Sequence, residues 1–450
     1  MAMREANTPM SHPGCFRLDW SVGTVRSRWP RLLLLDDRGT ARCIALDEQG
    51  ESERAKGWRA TCIELADGKP ILEAVEAVLD AHAGLPVSNG ACFGAGWIGA
   101  LAFGFGQPYH DPATPQAFLA FHPWVETRSP TGTWSLVGTN PPGEDLTPST
   151  VTVPSWHQDQ AFSFDEPIWP NADHHRYCVD TIRSYIGSGE VYQTNLTAQV
   201  RWRGSVDPRT LYHRLRKVAQ APYGGRLHIG AVAQESVHLV SASPECFLSV
   251  RDGKIASFPI KGTIARSDDP VVDQARADEL LASAKDRAEC MMIVDMTRND
   301  LAQACVTGSV IADSAPQLQS FPTVHHLVGS VSGSLIDRCQ PSRWLRSCFP
   351  PASISGCPKI AALKIINDLE EESRGFYTGT YGWFGRGGDA ELAVTIRTAI
   401  VSGHELRWGT GGGITWDSNP ESEWQELKAK VAVMEDAISA RSGKTDSSQS

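Results

Sequence analysis

The sequence has 450 residues, of which 41% are hydrophobic and 21% charged, with 14 tryptophans; this is too apolar for a disordered chain, too mixed for a fibrous one, and long enough for one large two-part domain or two. A formal net charge of −10 excludes nucleic acid or an anionic membrane surface as the bulk partner, since both require a basic field. Eleven cysteines, an odd number with no C-x-x-C spacing, fit neither a disulfide framework nor a zinc site and point to a reducing cytoplasm.

In chain order, residues 1–14 hold charges and prolines but no apolar stretch of the signal-peptide kind. Short apolar runs follow, Leu32 to Leu35 and the glycine-rich Gly90 to Gly106, which suit strands; the second is too short and too rich in glycine to span a bilayer. From Arg128 to Pro170 the chain is rich in Pro, Thr, Ser and Gly and reads as a long surface connection, so a boundary is placed there. Between Val237 and Thr263, β-rich runs flank Asp252-Gly253, a strong hairpin signal. Asp269-Pro270, a capping residue before a first-turn proline, predicts a helix running through Met292. Asn419-Pro420 repeats that signal, and Trp424, Leu427, Val431, Met434 and Ile438 form an apolar stripe at helical spacing, with Glu423, Glu426 and Lys430 on a neighbouring stripe. Residues 441–450 read as a disordered tail.

Three motifs are set aside. Gly94, Gly96 and Gly99 spell G-x-G-x-x-G, but Pro108 comes soon after and no strand-then-helix context surrounds them. Gly90 to Gly94 imitates the nucleophile turn of a glutamine amidotransferase around Cys92, yet none of the 13 histidines is followed by x-Glu, so the chain is expected to lack its own glutaminase. Asn195-Leu196-Thr197 fits a glycosylation acceptor, which has no meaning in a cytoplasmic protein.

Glu289 and Glu426 fall on the two predicted helices, each in a polar patch beside an apolar stripe. Two carboxylates with water and substrate oxygens suit Mg²⁺; taken alone, the pair reads far better as two solvated helix-face glutamates, and only the surrounding sequence overturns that. Six further segments occur in one order: Gly189 to Leu196 (GEVYQTNL), Ser243-Pro244-Glu245, Pro259-Ile260-Lys261-Gly262-Thr263, Arg298-Asn299-Asp300-Leu301, Gly356-Cys357-Pro358-Lys359 and Gly411-Gly412-Gly413-Ile414. Together they closely resemble the chorismate-utilising enzymes over residues 174 to 437, with a weaker match through Gly94 to Gly104.

That resemblance implies an activity, a set of site residues and a fold. Family members forming anthranilate or isochorismate typically carry alanine where this chain has Lys261, and those that add water carry lysine where it has Gln193; Lys261 with Gln193 points to the aminodeoxychorismate-forming branch. Lys261 would be the nucleophile and Glu245 the general acid. Substrate would be held by Gln193, Thr263, His326, Ser355, Tyr381, Arg397, Gly411, Gly412, Gly413 and Lys430, and Mg²⁺ by Glu289, Glu426 and Glu423. The fold would be α+β, a large two-layer antiparallel β-sandwich with helices outside. Residues 1–150 would contribute strands to that core and 174–437 would form the chorismate-binding catalytic part. Ammonia would come from solution or from a separate glutamine amidotransferase subunit. The rival activities are anthranilate synthesis and non-catalytic chorismate binding.

An amine nucleophile must be neutral, so Lys261 needs a pKa lowered by burial or by a cationic neighbour. Glu245 must hold a proton to assist departure of a hydroxyl. The two must face one pocket, yet a regular two-residue turn at Asp252-Gly253 pairs 245 with 260 and sends Lys261 to the opposite face. A bulge or break between Glu245 and Lys261, marked by Pro244 or Pro259, is therefore expected.

Overall fold

The computed structural model describes residues 162–439 apart from 233–234 and, before them, 64, 66–83, 96–107 and 116–122; the strands at 16–20, 23–27, 32–37, 40–45, 124–128 and 134–138 are described at the backbone level, with only the Leu34 side chain. Two large sheets, of eleven and ten strands, dominate these residues, joined by a three-stranded sheet. Every named strand pair is antiparallel. Early and late parts of the chain share both large sheets: Phe16–Trp20 pairs with Tyr223–Val232 in the first, and Gly96–Leu101 with Thr380–Gly385 in the second. The two sheets face each other across a core that includes Ile98, Phe118, Leu227, Leu239, Tyr381 and Trp383.

The helices lie on the outer faces. Pro208–Val218 and Pro420–Ser439 cover the first sheet through Leu211, Leu215, Trp424, Leu427, Val431 and Met434, while Ile438 is only partly buried at the end of that stripe. Ile71–Ala83, Ala284–Ala302 and Pro341–Cys348 cover the second. This is the α+β sandwich expected from the sequence. Among the described residues no helix is long and apolar enough to cross a membrane.

Two local expectations change, and the glycine-rich run is a strand as read. The helix begun at Asp269-Pro270 ends at Ala282, and Ser283, with extended backbone, closes it and caps a second helix, Ala284–Ala302, its hydroxyl accepting from Asp286 N at 3.3 Å. Serine competes for backbone hydrogen bonds and so breaks a run that propensity alone would continue. The proposed connection from 128 to 170 contains Trp134–Gly138, which pairs with Trp124–Arg128 at the edge of the first sheet; alternating Trp, Leu and Val support a strand there despite the flanking Pro and Gly. Gly96 and Gly99, two of the three glycines in the dinucleotide-like motif, lie within a central strand, where an added Cβ would strike the Phe384 and Phe118 carbonyls. Cys92, Gly94 and the tail at 441–450 lie outside the described residues.

Candidate active site

The site gathers where strands pass from one sheet to another. Glu235–Ser243 belongs to the first large sheet and Cys246–Arg251 to the second, so Pro244-Glu245 is the crossing between them. The crossing is held from both sides: Glu245 N donates to Ser243 Oγ at 3.3 Å, and Val394 N donates to Glu245 O at 3.0 Å. The adjacent strands cross in the opposite direction, from Ala390–Val394 to Thr398–Ser402, and Arg397 sits in that crossing with φ at +48°. A left-handed backbone at a non-glycine residue is costly and marks a position fixed by its surroundings; here Ala242 N donates to Arg397 O at 3.0 Å.

Lys261 arrives by a third departure. The hairpin forms as read, with Arg251 opposite Lys254 and both Asp252 and Gly253 at positive φ. The returning strand ends at Ser257, and after Phe258-Pro259 the chain leaves to build the three-stranded sheet with Val324–Val328 and Gln317–Ser320. A bulge between Lys261 and Thr263, with Gly262 at φ +77°, turns the strand again. The expected break is present, and it brings Lys261 to Glu245. Lys261 Nζ donates to Ser353 O at 3.1 Å, and the Glu245 carboxyl lies against the Ser353 hydroxyl and the Ile260 backbone N–H.

The electrostatics suit the two tasks. Burial pushes Glu245, 5% exposed, up to about 7, against the opposing pulls of Ser353, Lys261 and Ile260. Lys261 is half-buried, and its pKa is lowered by burial, with Glu289 and Glu245 pulling the other way and Lys430 adding to the depression. Near neutrality the pocket therefore keeps a share of Glu245 protonated and moves the Lys261 amine toward its neutral form.

Gln193 opens the strand Gln193–Ser205, which pairs with Glu405–Ile414 and sets Asn195 opposite Gly413, Leu196 opposite Gly412 and Thr197 opposite Gly411. Gln193 is 1% exposed, and its Oε1 has no hydrogen-bond partner among the described residues. A Cβ on Gly413 would collide with Gln193 Nε2 and stand 3.4 Å from Lys261 Nζ; one on Gly412 would stand 3.3 Å from Glu423 Oε2, 3.6 Å from Glu426 Oε1 and 3.8 Å from Lys430 Nζ. The missing side chains leave the floor on which lysine, amide and carboxylates converge.

Glu289 lies on Ala284–Ala302 and Glu423 and Glu426 on Pro420–Ser439. Burial raises Glu289, eased by Lys261 and Lys285 and reinforced by Asp286 and Glu423; burial also raises Glu423, with Glu426 adding to it. At Glu426 burial is outweighed by Lys430, 2.7 Å away, and its pKa falls. Lys430 also donates to Gly411 O at 2.6 Å. As placed, no three His, Cys, Asp or Glu side chains among the described residues form a closed metal-binding group. The donor set itself, carboxylates from two helices, is the hard-oxygen kind that suits Mg²⁺ completed by substrate and water.

The remaining expected residues divide. Thr263 Oγ1 is 2.8 Å from His326 Nδ1, across the strand pair in which the two residues are partners. His326 is buried and lowered to about 4, first by burial and then by Arg397, so it is neutral. The Arg397 guanidinium is depressed by burial, and no carboxylate pairs with it among the described residues. Thr263, His326 and Arg397 thus lie near one another, with Arg397 the one cation among the three. Ser355 and Tyr381 are placed otherwise. Ser355 Oγ donates into its own turn, to Pro351 O at 2.8 Å, and Tyr381 OH donates to Tyr223 O at 2.8 Å within the inter-sheet core.

Ser353, which both Lys261 and Glu245 approach, was not singled out in the sequence, although it stands two residues before Ser355 in the same turn. Asp300 and Lys359 were noted only as members of separate motifs. In the structure they meet, Lys359 Nζ donating to Asp300 Oδ2 at 2.6 Å. Their opposite charges in two ordered motifs were the available signal.

Comparison with known proteins accords with this geometry. The chain is 38% identical over 252 residues to aminodeoxychorismate synthase component 1 of Salmonella typhimurium, covering 56% of this chain and 54% of that protein. It is 36% identical over 278 residues to anthranilate synthase component 1 of Saccharolobus solfataricus, covering 62% and 64%. These alignments thus span about half to two thirds of the relatives' length. Anthranilate synthase component I of Streptococcus pneumoniae superposes with a TM-score of 0.72 at 22% identity, covering 96% of this chain and 95% of that one, which shows a shared fold. The family model described as chorismate binding enzyme matches residues 33–436, most of the chain, so the chain belongs to the chorismate-binding enzyme family.

Proposed function

We propose that the chain converts chorismate and ammonia to 4-amino-4-deoxychorismate, with Lys261 as a covalent nucleophile. The observation that carries this reading is the approach of Lys261 and Glu245 to Ser353, the amine with a lowered pKa and the acid raised to about 7. Neutral Lys261 attacks ring carbon 2, both ring double bonds shift one place around to carbon 4, and the 4-hydroxyl leaves as water with the Glu245 proton. Ammonia then attacks carbon 4, the carbon–nitrogen bond to Lys261 breaks, and the ammonium formed returns a proton to Glu245. Atoms and protons balance, and one hard displacement becomes two easier ones.

Arg397 supports the same reading because a half-buried guanidinium without a carboxylate among the described residues suits a substrate carboxylate. Thr263, neutral His326, Gln193 and the backbone of Gly411 to Gly413 would orient the ring. Glu289, Glu423 and Glu426 would hold Mg²⁺, which supplies charge neutralisation for the ring carboxylate. Ammonia would be delivered by a separate glutamine amidotransferase subunit, in the cytoplasm.

The test incubates the purified protein with chorismate, Mg²⁺ and ammonium at mildly alkaline pH, with and without aminodeoxychorismate lyase, and compares it with Lys261→Ala by mass spectrometry. Aminodeoxychorismate, converted to 4-aminobenzoate only when the lyase is added and lost in the variant, supports the reading. Anthranilate, isochorismate or no product from folded, chorismate-binding protein overturns it.

A further inference from the structure

On the three-stranded sheet, away from the chorismate pocket, a serine, a histidine and an aspartate meet. Ser320 Oγ is 2.7 Å from His325 Nδ1, and His325 Nε2 is 3.1 Å from Asp273 Oδ1. Successive side chains on a strand alternate between its faces. His326 turns toward Thr263 and Arg397, whereas His325 turns toward the helix Pro270–Ala282, which carries Asp273.

The hairpin explains the meeting. Ser320 and His325 are direct cross-strand partners, and Phe321 N donates to Val324 O at 2.8 Å. Bonded and non-bonded pairs alternate along an antiparallel ladder, so Ser320 and His325 form a non-bonded pair, the kind whose side chains lie closer. The same alternation points the Ser320 backbone N–H away from Val324–Val328. Gln317–Ser320 is the last strand of its sheet on that side, so this N–H faces the open edge.

The proton positions follow from Asp273. Its carboxyl accepts from Arg266 Nε at 2.8 and 2.9 Å and from Ser267 N at 3.0 Å, and Arg266 above all holds its pKa well below the usual carboxylate range. A carboxylate only accepts, so in the neutral ring His325 Nε2 carries the proton, Nδ1 offers its lone pair, and the Ser320 hydroxyl donates to it. His325 is 3% exposed, whereas Ser320 is open to solvent. These are the roles of nucleophile, base and orienting group in an acyl-transfer triad, which is recognised by roles rather than by chain order. Here the serine lies on Nδ1 and the carboxylate on Nε2, the reverse of the common arrangement; either imidazole nitrogen can act as the base.

We infer that Ser320, with His325 as base and Asp273 as orienting group, is a second reactive site that takes an acyl group from small activated esters and passes it to water. Ser320 Oγ attacks the ester carbonyl as its proton moves to His325 Nδ1, and the Ser320 N–H faces the side from which it can hold the carbonyl oxygen. The bond to the leaving oxygen breaks, and His325 gives that oxygen the proton. Water then attacks the acyl-serine through the same base, releasing the acid and restoring Ser320. Arg266 draws on the same carboxylate, so Asp273 orients the imidazole more than it stabilises its charge. This limits the site to esters with good leaving groups. None of these residues is used in the reaction proposed above.

The test follows release of p-nitrophenolate from p-nitrophenyl acetate by the full chain and locates the acetyl group by peptide mass spectrometry. An amine such as Lys261 also attacks this ester, so Lys261→Ala serves as the background for every variant. In that background, Ser320→Ala and His325→Gln should each slow release about 10²-fold, and the acetyl group should sit on Ser320. His325 also ties the sheet to its helix, so a second measurement uses the unmutated chain. Phenylmethanesulfonyl fluoride, which reacts with base-activated serines and not with ordinary ones, should modify Ser320 in the folded chain and not in the chain unfolded in urea. Release undiminished in Ser320→Ala, or no acetyl or sulfonyl adduct on Ser320 of the folded chain, overturns the proposal.

Discussion

Lys261 and Glu245 share Ser353 as a neighbour: the lysine Nζ donates to its carbonyl at 3.1 Å, while the glutamate carboxyl lies against its hydroxyl. One residue of the turn at 352–355 therefore stands between the Lys261 amine and the Glu245 carboxyl. That turn is anchored by Arg374, which donates to Ile354 O at 2.8 Å and Asn195 O at 2.7 Å while paired with buried Glu370 at 2.7 Å. The strand carrying Gln193 and the turn carrying Ser353 are thus clasped by the same guanidinium.

The raised pKa of Glu245 gives a signed stability prediction. Its folded value, about 7, lies above the ordinary 4.5, so its protonated form stabilises the fold below pH 4.5 and this contribution is lost as pH rises through about 7. Glu245→Gln lacks that loss. Relative to wild type, the variant should gain up to about 3 kcal/mol between pH 4.5 and 8, read by urea denaturation at both pH values, while its turnover falls about 10²-fold or more.

Arg397 should cost binding without contributing stability. Its guanidinium is half-buried with no carboxylate partner among the described residues, so Arg397→Met should weaken chorismate binding about 10- to 100-fold. The ligand-free melting temperature should hold or rise, since an unpaired half-buried charge is removed. Calorimetric titration with chorismate and a thermal melt decide it; a large fall in melting temperature would instead mark Arg397 as structural.

Gly413 is required by space. In Gly413→Ala the new methyl meets Gln193 Nε2 and approaches Lys261 Nζ, so turnover should drop about tenfold or more with little change in secondary structure. Adding Gln193→Ala removes the collision and should recover Lys261 reactivity toward an amine-directed reagent, measured as labelling rate.

Chelation should abolish turnover and added Mg²⁺ restore it. Glu289→Gln and Glu426→Gln should each raise the half-saturating Mg²⁺ concentration about 10- to 100-fold, read from activity and from direct Mg²⁺ titration calorimetry. An unchanged Mg²⁺ requirement in both would remove these carboxylates from the ligand set.

By itself the sequence determined the chemistry available. Lys261, Glu245, Arg397 and the triple glycine are fixed by residue type, and the helix carrying Glu423, Glu426 and Lys430 is fixed by a cap and a 3.6-residue stripe, both local signals. The hairpin at Asp252-Gly253 was equally local, and its regular continuation placed Lys261 on the wrong face. Tertiary structure decided that point: Phe258-Pro259 leaves the ladder because the next strand finds its partners in Val324–Val328, more than sixty residues away. It also decided which motif residues meet. Asp300 and Lys359 form an ion pair across 59 positions, whereas Tyr381, placed in the pocket by resemblance, packs between the sheets with its hydroxyl on Tyr223 O. Propensity and periodicity act over a few residues, while strand crossings and buried charge pairs arise from packing between distant segments.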